Sequence, residues 1–126
     1  MSNEYIAGSC NIGKGEVRRR KFVALIGAVI TLTTATTLFT TDQSRIARLS
    51  IFIPAIIFAI GFVQSRKKFC LAYGLAGTFN FGGIGDVKRV QSNEDRIADR
   101  KTALSILAQS AMIAIAITGV VFVLPL

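Results

Sequence analysis

The sequence predicts an all-α integral membrane protein: three transmembrane helices plus a glycine-rich segment that is interfacial or re-entrant. Hydrophobic residues make up 52% of its 126 residues and the mean hydropathy is +0.55, above the range of soluble domains. Charge is also confined: uncharged runs at 22–41, 49–65, 69–85 and 102–126 alternate with short segments holding nearly every ionisable group. Crossing a hydrocarbon layer of about 30 Å takes about 20 helical residues, which the first and last runs supply unaided.

The first expected element is an extramembrane N-terminal segment, 1–21, ending in Arg18, Arg19, Arg20 and Lys21. A first span over 22–40 follows. Its apolar run exceeds the core of a secretory signal and no small-x-small cleavage site follows it, so it is expected to remain in the protein. Ala7-Gly8-Ser9-Cys10 has the look of a lipoprotein cleavage box, but no apolar segment precedes it. A second span over 46–64 requires Arg48 to snorkel toward the headgroups while its stem stays in lipid. Pro54 is expected to kink that span, leaving a carbonyl near Ser50 in need of a partner.

Segment 65–91 contains glycines at 74, 77, 82, 83 and 85, which would hold a lipid-exposed helix poorly. With Phe69, Tyr73, Phe79 and Phe81 it is expected to cap the helix ends. The last element is a helix over 93–124 that contains the third span. Ser92 followed by Asp95 has the spacing of an N-cap with an acidic N3 residue. At about 1.5 Å per residue this helix rises about 48 Å, so its first turns, EDRIADRK, should stand outside the membrane.

Assigning the N-terminus and segment 65–101 to one side collects 13 of the 15 Lys and Arg residues there, leaving Arg45 and Arg48 opposite. The positive-inside rule then makes the N-terminus cytoplasmic and sends the C-terminus to the other side. The net charge of +8 raises the question of nucleic acid, yet the basic residues flank spans, where topology and anionic lipid account for them. Arg18, Arg19, Arg20, Lys21, Arg66, Lys67 and Lys68 are the expected lipid contacts, and no nucleic-acid partner is expected.

Small and hydroxyl-bearing stripes are the candidates for helix packing. Thr33 and Thr37 share a face of the first span with Thr40; Ser50, Pro54 and Gly61 line the second; Ser110, Ala114 and Thr118 recur every four residues on the third. Threonines in such a helix bond their own i−4 carbonyls or reach across to another helix.

Cys10 and Cys70 fall on the same side and form a candidate thiol pair, with Cys70 following Arg66, Lys67 and Lys68. With no histidine and no C-x-x-C, neither a metal nor a cofactor is expected. The glycines match neither the phosphate-binding loop nor G-x-G-x-x-G. Glu4, Glu16, Asp42, Asp86, Glu94, Asp95 and Asp99 all fall in expected extramembrane segments, which argues against an enzyme working within the membrane.

CNIGKGEVRRR and FIPAIIFAIGFVQSRKKFCLAYGLAGTFNF together resemble a set of short bacterial membrane proteins. The resemblance covers residues 10–81 through Cys10, Asn11, Gly13, Glu16, Pro54, Gly61, Gln64, Arg66, Phe69, Cys70, Gly74, Gly77 and Asn80. It implies a bacterial inner membrane and carries no activity. The functional expectation is a non-enzymatic accessory or scaffold subunit, set among membrane lipids and bound to a larger membrane complex or to its own copies. The alternatives are a small oligomeric channel or transporter built on the threonine face, and a thiol-based redox or metal module using Cys10 and Cys70.

Overall fold

The structure, a computed structural model, describes residues 5–81 and 87–125. Its elements are α1 (Lys14–Thr40), α2 (Arg45–Arg48), a 3₁₀ turn (Leu49–Ile51), α3 (Phe52–Lys67), α4 (Leu71–Ala76), β1 (Thr78–Phe79), β2 (Lys88–Arg89) and α5 (Asn93–Val123). Three helical stretches, Lys14–Thr40, Arg45–Lys67 and Asn93–Val123, are long and apolar enough to cross a membrane.

The first helix begins eight residues before the expected position, because polar residues continue a helix beyond its apolar stretch. Glu16 sits in the first turn, where the helix dipole favours an acid, and bonds Arg19 and Arg20 one turn on. The second helical stretch starts at the Ser44 N-cap, whose hydroxyl accepts from Ala47 N. In the stretch where Pro54 is expected to produce a kink, a 3₁₀ turn over Leu49–Ile51 precedes α3, and Pro54 is the third residue of α3 and buried. Segment 65–91 is more structured than the interfacial cap foreseen. It holds the last turn of α3, then α4, and β1 paired antiparallel with β2, Thr78 opposite Arg89. The glycines at 82, 83 and 85 and Asp86 lie outside the described residues. Ser92 caps α5 through Asp95 N, as its spacing indicates.

The helices form an open layer with the second helical stretch in the middle. It packs against α1 on one side and α5 on the other, whereas α1 and α5 scarcely meet. Accordingly 39% of its most apolar stretch is buried, against 22% for α1 and 28% for α5. The α1–α3 contact is antiparallel and rests on two glycines. A Cβ on Gly27 would lie 2.6 Å from Phe58 N, and one on Gly61 would lie 2.8 Å from Ala24 N. Each helix brings a bare backbone patch against the other, the device membrane helices use where lipid removes the hydrophobic drive to associate. α5 turns Asp99, Ala103, Ile106, Ser110 and Ala114 inward at helical spacing, and Val63, Phe69, Ala103 and Ile106 form one core cluster. Phe69 is fully buried, and its ring fills the space a Cβ on Gly74 would need, 2.6 Å from Cε1.

Arg48 is enclosed by the chain's own helix ends. It is 5% exposed and its Nη1 donates to Val121 O at 3.1 Å and Leu124 O at 2.7 Å, while its guanidinium lies 4.8 Å from the Phe39 ring centroid. The last carbonyls of a helix have no intrahelical donor, and a guanidinium supplies several N–H groups in one plane. One side chain thereby ties the ends of α1 and α5 to the start of the second helical stretch.

Candidate functional site

The polar groups of the molecule are concentrated at the charge-rich end, where residues 5–13 fold back over the helix ends. A tight turn bridges Ile6 and Cys10, and Ile12 pairs with Asn80 in a parallel bridge. Asn80 N donates to Asn11 O at 2.9 Å and Gly13 N donates to Asn80 O at 3.0 Å. Asn11, fully buried, then uses its side chain as a second backbone: Nδ2 donates to Cys70 O at 3.2 Å and Oδ1 accepts from Cys70 N at 2.8 Å. Gln64 Oε1 accepts from Leu71 N at 2.9 Å, so two amide side chains satisfy the backbone where α3 passes into α4.

Two carboxylates anchor this cap. Glu16, 2% exposed, accepts from Arg19, from Arg20 at 2.8 Å and from the Tyr73 hydroxyl at 3.4 Å. Asp99, fully buried in α5, accepts from the Tyr5 hydroxyl at 2.6 Å and from Gly8 N at 2.7 Å, while Thr102 Oγ1 donates to Gly8 O at 2.7 Å. Burial and this bond to Asp99 hold the Tyr5 phenol well above its ordinary range, with Asp95 adding a weaker push. Glu16 stands in the first turn of α1 and Asp99 in the second turn of α5, near the charge-rich ends of their helices, and both are enclosed by protein rather than by water. Their chemistry is that of fixed acceptors locking the N-terminal segment to α1, α4 and α5.

The candidate thiols are not bonded to each other; both are free. Cys10 is half-buried with its Sγ 3.6 Å from Ile12 O, whereas Cys70 is buried with its Sγ 3.1 Å from Arg20 Nη2. The cation beside Cys70 is thus Arg20, not one of the three basic residues that precede it in sequence. Among the described residues no three Cys, Asp or Glu side chains converge as a metal site.

Of the basic residues read as lipid contacts, Arg18, Arg19, Lys21, Arg66 and Lys67 are exposed at this end. Arg20 is turned inward between Glu16 and Cys70, and half-buried Lys68 ends α3 in the left-handed conformation. Of the packing candidates, Pro54, Gly61, Ser110 and Ala114 are buried, and Thr118 is partly buried with its hydroxyl on Ala114 O. Ser110 Oγ has no hydrogen-bond partner among the described residues. Thr33, Thr37 and Ser50 are exposed, and the close approach of α1 to α3 is made at Ala24 and Gly27 instead. The hydroxyls of Thr33, Thr36, Thr37 and Thr40 each donate to the carbonyl four residues back.

All positions of the CNIG and FIP pattern except Cys10 and Arg66 are buried, and most belong to this cap. Comparison with protein-family models, with curated proteins and with solved structures gives no match.

Proposed function

We propose that the protein is a non-enzymatic accessory subunit of the bacterial inner membrane. In this reading its charge-rich cap faces the cytoplasm, and the second half of α1 docks against a transmembrane helix of a larger complex. The observation that carries the reading is the outer face of α1. From Phe22 to Leu32 it exposes Phe, Val, Leu and Ile, the side chains lipid takes readily, but from Thr33 to Thr40 it exposes Thr33, Thr36, Thr37 and Thr40. Short hydroxyl side chains, already bonded to their own helix, leave a smooth surface on which another helix can approach closely. The open layer leaves that surface uncovered.

The test is gentle extraction of the tagged protein from its native membrane, with co-purifying proteins identified by mass spectrometry. A stoichiometric set of larger membrane subunits is expected, and it should be lost when Thr33, Thr36 and Thr37 are changed to leucine. Recovery of the chain alone as a monomer would overturn the proposal, and recovery as a homo-oligomer would replace it with self-assembly around the same face.

A further inference from the structure

Three arginines at the charge-rich end surround one polar pocket of about 150 Å³, closed below by the backbone of residues 74–77. Arg96 and Arg100 lie four apart on α5 and so share a face, and Arg89 reaches the pocket from β2. The positions are fixed by the fold. Val90 N donates to Gly77 O at 2.8 Å, and Arg96 Nε donates to Val90 O at 2.8 Å. Gly77 has a φ of +73°, and a Cβ there would come within 3.3 Å of Arg96 Cδ, so a bare backbone lets the arginine lie along the turn.

Among the described residues the ion pairs of the molecule are Arg19–Glu16 and Arg20–Glu16, and none involves Arg89, Arg96 or Arg100. Three guanidinium groups therefore stand around a polar cavity without an ion pair among the described residues, an arrangement in which each repels the others. Guanidinium forks match the planar faces of phosphate oxygens, and phosphate chemistry offers enough negative charge to satisfy three of them.

We infer that the pocket formed by Arg89, Arg96, Arg100 and the α4 C-terminal turn is a binding site for a phosphate group. The phosphate comes either from an anionic lipid headgroup or from a soluble phosphate. The site is separate from the exposed basic residues of α1 and α3 and does not depend on the docking proposed for α1.

The test uses the full chain in a neutral detergent with two probes, inorganic phosphate followed by calorimetry and phosphatidylglycerol followed by native mass spectrometry. The variant Arg89→Gln/Arg100→Gln removes two charges from exposed side chains and keeps Arg96 in its bond to Val90. Arg18→Gln/Lys21→Gln removes the same charge elsewhere. A soluble source is indicated by phosphate binding that falls about tenfold or more in the pocket variant and holds in the control. A lipid source is indicated if phosphate fails to bind but one phosphatidylglycerol is retained by wild type and control and lost from the pocket variant. Binding of neither probe, or equal binding by both variants, overturns the inference.

Discussion

Replacing Gly27 by alanine is expected to force α1 away from α3. The added Cβ would lie 2.6 Å from Phe58 N and 2.7 Å from Phe58 Cα, where ordinary contact begins at 3.4 Å, so the backbones must separate by nearly an ångström. Neither neighbour is the flexible end of a side chain, so the strain cannot be relieved by a rotamer change. Overpacking of this kind costs about 1–3 kcal/mol, and a helix pair in lipid has no hydrophobic gain to offset it. Gly119→Ala is the matched control: its Cβ meets nothing within 4 Å, and the change is expected to be neutral or to stabilise by up to about 1 kcal/mol through helix propensity. Reversible unfolding in mixed detergent micelles reads both. Equal stability of the two variants would refute the close backbone contact of α1 and α3.

Asp99→Ala strips Tyr5 and Gly8 of their shared acceptor and should raise amide exchange across residues 5–10 while leaving the middle of α1 protected, at a cost of about 1–3 kcal/mol in docking of that segment. Because the folded-state phenol of Tyr5 titrates above its unfolded value near 10, its contribution is complete below about pH 10 and is lost as pH rises further. Alkaline loosening of residues 5–10 should therefore be weaker in Tyr5→Phe. Arg48→Met removes the donor to Val121 and Leu124 and should fray the last turn of α5, seen as faster exchange there and a loss of about 1–3 kcal/mol. In the native protein a maleimide should label Cys10 well before Cys70, and equal rates would contradict the burial of Cys70 under Arg20.

Local chemistry made much of the fold readable. The three apolar stretches and the Ser92–Asp95 cap each depend on residues near one another in the chain. The early start of α1 had a sequence signal too, in the spacing of Glu16 to Arg19 and Arg20, but a cluster of charges reads more readily as the edge of a membrane than as the interior of a helix. The cap was not legible. Asn11 meets Cys70 and Tyr5 meets Asp99 across 59 and 94 residues, and no periodicity records such pairings. Placing Glu16 and Asp99 outside the membrane implied solvent around them, because nothing in residues 5–13 announces a strand-like strap that would cover both. The small-residue stripes were legible where another helix of the same chain lies against them, at Gly61, Ser110 and Ala114. At Thr33 and Thr37 the same pattern marks a surface this chain leaves open.

That surface is tested most directly by a photocrosslinking amino acid at Thr36 in growing cells, with Met112, 69% exposed on the far helix, as the comparison position. Docking through α1 predicts a discrete protein adduct from Thr36 and lipid adducts from Met112, whereas lipid adducts alone from both positions would contradict it.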